Sequence, residues 1–223
     1  MRDERDWNEQ FRQELYETLR WAIRGEVRLA KRGHEDILQW CRAVYVQDEC
    51  PEAEIESFMQ FAAEELDRTA AQLASKQAEW SNETDCDRLD RVEVALRERG
   101  ILLWQVSPCC DTCTGAELPD RIDVIDSRHP GFRDRVRGYG FFIDQNMPEM
   151  LSDKTRLSVY LAYGWFSSDN SEVAREVYAE NALDIAREIC ACLRDEGFEV
   201  DWNGKLDRKI GISLDWQRRT ILQ

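Results

Sequence analysis

RGILLWQVSPCCDTC, residues 99–113, is where the texture of this chain changes. Upstream, apolar residues recur at helical spacing; from here on they come in short β-branched and aromatic runs. Ile101–Val106 is an apolar run bounded by Gly100 and by Ser-Pro, which reads as a strand. Ser107 suits an N-cap and Pro108 a first helical position, so SPCCDTC is expected to open a helix with Cys109 and Cys110 in its first turn. A strand feeding a helix, after a purely helical stretch, points to an α+β fold.

Working back from this junction, Trp7, Phe11, Leu15, Leu19 and Ile23 recur every four residues and predict a helix from about residue 7 to the Gly25 or Gly33 region. Ile37, Leu38, Cys41, Val44 and Tyr45 form a shorter amphipathic segment. Pro51 suits the first turn of a third helix, in which Ile55, Phe58, Met59, Ala62, Leu66, Ala70 and Leu73 share one face. The polar break SNETD, residues 81–85, precedes a helix expected over 86–99, with Thr84 and Asp87 spaced as a capping box. Working forward, YGFFI (139–143), LSVYLAY (157–163), FEVDW (198–202) and KIGISL (209–214) are strand candidates, with a helix expected over about 171–196. Asn203-Gly204 marks a hairpin whose loop is too long for the tightest type I′ turn. The organisation expected is a helical region of about three helices over 1–80, followed over 84–223 by an α+β domain with a sheet of about five strands packed with helices.

Charge narrows the function classes. The net charge is −15, and residues 33–80 hold three basic against eleven acidic side chains, a local balance of −8. Such a field repels nucleic acid and anionic lipid and attracts basic partners. No apolar run approaches the roughly 18–20 residues that span a bilayer, and MRDERDWNEQ has no apolar leader core, so the expectation is a cytoplasmic protein with no membrane and no nucleic acid as partner. In that compartment the eight cysteines read as buried small hydrophobes, metal ligands or redox groups before disulfides.

Three of the eight cysteines fall in SPCCDTC. Backbone N–H groups and the positive end of a helix dipole favour thiolate there. Cys110-x-x-Cys113 has the spacing of a redox pair or of half a zinc site, and the second half of such a site would have to come from isolated residues such as Cys86, Cys109 or His129. On spacing alone a buried, metal-free structural thiol cluster ranks first, zinc second and redox chemistry third. No cofactor is required. Gly138-Tyr139-Gly140 lacks the third glycine of a dinucleotide fingerprint, and no GxSxG, HExxH or phosphate-cradling loop occurs, so no catalytic constellation accompanies the cysteines. His34 and His129 sit at a helix start and in a turn sequence, as surface or capping residues. Trp165-Phe166 reads as core or strand edge.

TDCDRLD (84–90), Gly100-Ile101, CC-x-TC (109–113), GYGFF (138–142), YLAYG (160–164), Trp202 after its Gly-x-x-x-x turn and WQRR (216–219) together resemble an uncharacterised bacterial family known only as a domain of unknown function. The resemblance covers most of the chain and implies no activity. Cys86, Cys109, Cys110 and Cys113 match its cysteines, which implies that the four meet in one structural or metal-binding cluster. Relatives often carry a histidine after the aromatic pair of the GY-x-FF strand, where Ile143 and Asp144 stand here, and a glycine directly after CC-x-TC, where Thr114 intervenes.

Two functions of different class follow as expectations. One is an acidic protein-interaction module, of the kind that antagonises a toxin, presenting Glu52, Glu54, Glu56, Glu64, Glu65 and Asp67 to a basic protein; no Lys or Arg occurs from Val44 to Asp67. The alternative is a thiol-based metal-binding or redox protein centred on the cysteine cluster.

Overall fold

A computed structural model describes residues 7–108, 110–167 and 173–222. In chain order these form α1 (Glu9–Leu29), α2 (His34–Cys41), a π-helical turn (Arg42–Val46), α3 (Glu52–Gln77), α4 (Asp85–Glu98), β1 (Ile101–Ser107), α5 (Asp111–Arg128), β2 (Gly138–Ile143), α6 (Met147–Asp153), β3 (Arg156–Trp165), α7 (Arg175–Asp195), β4 (Val200–Asp201) and β5 (Ile210–Asp215). The fold is α+β, and among the described residues no strand precedes β1. The chain divides into two compact units.

The helical unit draws on three separated stretches, 1–84, 146–155 and 216–223. Asn8 caps α1 by accepting the Gln10 and Phe11 N–H groups (2.9 and 3.2 Å). The four-residue stripe buries Leu15, Leu19 and Ile23 against Ile37, Cys41, Phe58, Ala62 and Leu66, with Trp7 and Tyr16 packed on Phe58. Gly25, which the sequence offers as a helix end, lies inside α1; the helix stops at Leu29, with Ala30 in the left-handed conformation at its end. A Cβ on Gly25 would stand 2.0 Å from the Pro148 carbonyl oxygen, so glycine is there to admit α6. Ser152 of α6 donates to the Trp21 carbonyl (2.6 Å), and Arg28 donates to the Ser152 carbonyl (3.2 Å). Trp216 returns to the same unit: its indole N–H reaches the Leu29 carbonyl at 3.2 Å and its backbone N–H the Thr155 carbonyl at 2.8 Å.

The second unit, 85–145 with 156–215, is built on a mixed sheet in the order β1-β2-β3-β5-β4. β1 and β2 are parallel and joined through α5; β2-β3, β3-β5 and β5-β4 are antiparallel. One face of β1-β2 is covered by α5, where Leu102, Phe141, Leu118, Ile122, Ile125 and Phe132 form a core. On the other, α7 packs against the glycines of GYG: added Cβ atoms would meet Ile185 at 2.5 Å from Gly138 and Ile189 at 2.9 Å from Gly140. These glycines serve close helix packing. β4 is reduced to Val200–Asp201, shorter than FEVDW suggested, and Gly204 takes positive φ (76°) in the long hairpin loop before β5. The expected 171–196 helix runs Arg175–Asp195; residues 171 and 172 lie outside the described residues.

Candidate functional site

The junction of β1 and α5 sits at the carboxyl end of a parallel strand pair, the end of an α/β crossover at which ligands and reactive groups collect. Its backbone is unusual. Val106 is buried and β-branched, yet its φ is +53°, and the β1-β2 register shifts between Trp104 and Ser107. A left-handed valine costs about 1–3 kcal/mol, and such outliers gather at functional turns. The irregularity turns Ser107 onto the α5 side of the sheet, where its hydroxyl donates to the Phe142 carbonyl at 3.2 Å. The Thr114 hydroxyl lies 3.0 Å from both the Ser107 hydroxyl and the Pro108 carbonyl, and its single proton serves one of them at a time. Ser107 and Thr114 are fully buried.

This arrangement corrects the expected helix start. Ser107 belongs to the strand, its carbonyl accepting the Asp144 N–H at 2.9 Å, and its side chain is committed to Phe142. The N-cap is Cys110, extended at φ −150°, whose sulfur accepts the Cys113 N–H at 3.5 Å. Cys110 therefore precedes the first turn instead of lying within it. A backbone N–H aimed at sulfur, at the positive end of an 18-residue helix, stabilises negative charge on that sulfur more than it does a neutral thiol. Cys110 and Cys113 are half-buried, in a group expected to be mostly shielded from solvent.

The remaining cysteines differ. Cys86 is buried in the first turn of α4, and Cys109 lies outside the described residues. Cys41 and Cys50 fill the helical core, and Cys190 and Cys192 are buried residues of α7. Burial pushes the Cys41 thiol up to about 12 and that of Cys190 up to about 11, which makes both poor nucleophiles. Among the described residues no group of three or more His, Cys, Asp or Glu side chains is arranged to hold a metal ion.

Next to Cys110, Asp111 pairs with Lys209 at 2.6 Å, tying the first turn of α5 to the start of β5. Beyond α5 the face of β3-β5-β4 is open. It carries a hollow of about 490 Å3 lined by Ser158, Tyr160, Asp201, Gly211 and Ser213, and a second of about 430 Å3 that shares Tyr160 and Asp201 and reaches Lys209. Tyr160 is 58% exposed. Tyr139, stacked beside Phe141 and in contact with Phe166, has its hydroxyl pushed up by burial and by Tyr178. Phe166 thus belongs to the core under α5, and Trp165 packs edge-on against Tyr178.

The six carboxylates singled out on α3 divide by role. Glu54 is held by the Arg12 guanidinium (2.7 and 2.9 Å) and by the Trp7 indole (2.7 Å), and the Arg12 contact keeps its carboxyl below the usual range. Glu65 is buried, bonded to Arg68 and near Thr69. Glu52, Glu56, Glu64 and Asp67 are exposed; Arg42 meets Glu56 at 3.2 Å and Gln60 donates to Glu64 at 3.1 Å. A helical stripe in the sequence does not say which acidic side chains fold back onto α1. His34 opens α2 and His129 closes α5, both exposed.

What sequence reasoning missed here is the strained Val106 and the paired hydroxyls of Ser107 and Thr114, for which an unbroken apolar run carries no signal. No described helix is long and apolar enough to cross a membrane. No curated protein and no solved structure matches the chain. The family model described as a domain of unknown function, DUF6891, matches residues 12–220, so the chain belongs to that family.

Proposed function

We propose that the β1-α5 junction is a thiol-exchange site that acts on a disulfide-bearing polypeptide. The observation that supports this reading is Cys110 at the N-cap of α5, only partly buried, with the Cys113 N–H on its sulfur. The Cys110 thiolate displaces one sulfur of the partner disulfide, forming a mixed disulfide and releasing a thiolate. The Cys113 thiolate then attacks the Cys110 sulfur and releases the second partner thiolate. The partner takes up two electrons and two protons, and the dithiol becomes a Cys110–Cys113 disulfide; the N-cap-to-N3 relation keeps the two cysteines within bridging span. The test is reaction of the folded chain with glutathione disulfide, read by mass spectrometry. Cys113→Ala should accumulate a mixed disulfide that Cys110→Ser does not form, and iodoacetamide should label Cys110 before Cys41 or Cys190. Equal labelling of all cysteines, or no mixed disulfide in Cys113→Ala, overturns the reading.

A second reading, an acidic module that binds and antagonises a basic protein, is favoured by the exposed carboxylates Glu52, Glu56, Glu64 and Asp67. Reversing charge at Glu52, Glu56 and Glu64 should slow association and weaken its salt dependence with the fold intact. Co-purification from the native host of one basic protein with both the wild-type chain and this variant, at equal yield, returns α3 to a solvated face.

A further inference from the structure

The π-helical turn and the first half of α1 take no part in the thiol site, and between them lies a hollow of about 240 Å3. Trp7, Phe11 and Leu15 line it from the α1 side, and Val44 and Tyr45 from the π-helical turn. Leu15 is buried, Trp7, Phe11 and Tyr45 are half-buried, and Val44 is 52% exposed. These side chains are held before any partner arrives. The Trp7 indole donates to Glu54 at 2.7 Å, and Tyr45 packs edge-on against Trp40 with ring centroids 5.0 Å apart. The Gln47 N–H closes the π-helical turn on the Arg42 carbonyl at 2.9 Å, and turns of this rare type are frequent at functional sites.

The rim is acidic. Glu14 and Glu49 line the hollow, and no Lys or Arg is among the described residues that do. Glu17 follows Glu14 on the same face of α1. Both carboxylates accept from neutral amides, Glu14 from Gln10 at 2.9 Å and Glu17 from Gln13 at 3.1 Å, so neither charge is neutralised. Asp48, exposed beside Glu49, makes no ion pair among the described residues. The basic side chains of the two walls are committed elsewhere, Arg12 to Glu9 and Glu54 and Arg42 to Glu56. A second copy of this chain would set a net charge of −15 against this rim, and an anionic lipid surface is repelled in the same way, whereas a basic partner is attracted. From Phe11 to Thr18 the α1 wall extends for about two turns, roughly 10 Å, a length along which a second helix sets residues at i, i+4 and i+7. The volume exceeds the about 150 Å3 that admits a benzene ring, so one or two large apolar side chains fit.

We propose that this hollow docks an amphipathic basic helix of a partner protein, with one or two of its apolar residues seated against Phe11 and Val44 and its Lys and Arg residues over Glu14, Glu17 and Asp48. The docked helix rests on the reading of the chain as an acidic module for a basic protein and deepens it. The hollow supplies the anchor, and the exposed carboxylates of α3 supply attraction at longer range.

The test uses the full chain and a fluorescent peptide of about four turns, made of leucine and lysine with the leucines on one helical face, read by anisotropy. It should bind with Kd on the order of 10 μM, and a peptide of the same composition with the leucines scattered should bind at least about tenfold more weakly. Val44→Arg blocks the hollow with a bulky cation, and Glu14→Lys with Glu17→Lys reverses its rim; all three positions are exposed. Each variant should weaken the peptide about tenfold with the circular dichroism spectrum of the chain unchanged, and the rim variant should also flatten the salt dependence. Wild-type affinity in Val44→Arg, or equal binding of the scattered peptide, overturns the proposal. If reversal at Glu52, Glu56 and Glu64 then still weakens binding, the acidic module stands without this hollow; if it does not, both fall. A wild-type chain that sediments as a dimer and is made monomeric by Val44→Arg has a second copy in the hollow, which also overturns the proposal.

Discussion

Replacing Gly25 by alanine sets two effects of opposite sign against each other. Alanine inside a helix is favoured over glycine by about 1 kcal/mol, so propensity alone makes Gly25→Ala stabilising. The packing of α6 argues the reverse. The new Cβ would stand 2.0 Å from the Pro148 carbonyl oxygen and 2.9 Å from its Cα, where ordinary contact begins at 3.4 Å, and neither atom is the far end of a flexible side chain. The backbone of α6 must retreat by more than 1 Å. A strained, overpacked seam costs about 1–3 kcal/mol. If α6 lifts away, the buried Met147 and Leu151 forfeit about 1.5–3 kcal/mol each, and the bonds from Ser152 to Trp21 and from Arg28 to Ser152 about 1 kcal/mol each. After subtracting the propensity gain, Gly25→Ala should destabilise the helical unit by up to about 2 kcal/mol if α6 stays seated under strain, and by about 4–7 kcal/mol if it lifts away. Gly115→Ala in α5 is the control: nothing lies within 4 Å of its added Cβ, so the same substitution should stabilise by about 1 kcal/mol. Because the chain has two units, urea unfolding should be paired with native-state hydrogen exchange, so that the loss can be assigned to α1 and α6 amides. Gly25→Ala at or above wild-type stability refutes the close approach of α6 to α1.

Glu93 carries a pH-dependent prediction. Burial raises its carboxyl above 4.5, opposed by the amide of Gln105, at 2.8 Å, and by Arg121. The folded chain therefore holds this proton to higher pH than the unfolded chain does. Its contribution to stability is full below the unfolded pKa and is lost as pH rises through the folded one. Glu93→Gln keeps an acceptor for Gln105 and removes the titration, so at pH 7 the variant should equal or exceed wild type, with the gap closing toward pH 4. Urea midpoints that run parallel across that range refute it. Elemental mass spectrometry of chain purified without added metal should find zinc well below one equivalent; a full equivalent would make the cysteines a structural metal site whose chelation unfolds the protein.

How much of this was legible depended on the range over which each signal acts. The stripes of α1 and α3 and the runs of β1, β2, β3 and β5 are local patterns, and they read correctly. Gly25, Gly138 and Gly140 show the limit. Nothing local distinguishes a glycine that ends a helix from one that makes room for a neighbour, and here the neighbours are Pro148, Ile185 and Ile189. Cys110 takes the N-cap role expected of Ser107 for a similar reason. Serine is the better cap intrinsically, but its hydroxyl is claimed by Phe142, from the adjacent strand. Glu54 and Glu65 belong to a run with no Lys or Arg from Val44 to Asp67, which suggests a surface presented to a partner, yet Arg12 of α1 holds Glu54, and Glu65 is buried with Arg68 and Thr69 of its own helix as partners.

The three-part assembly of the helical unit has a bearing on how the protein is made. Domains are ordinarily completed in the order in which they leave the ribosome. Here α1, α2 and α3 emerge first, but the Trp216 that closes over Leu29 follows β5, the last strand of the other unit. The earliest-synthesised unit is therefore the last to be finished. Throughout elongation the ends of α1 and α3 await their cover, and a nascent chain stalled anywhere before residue 216 displays that unfinished surface to chaperones and proteases, while one stalled just after β5 already has every strand of its sheet.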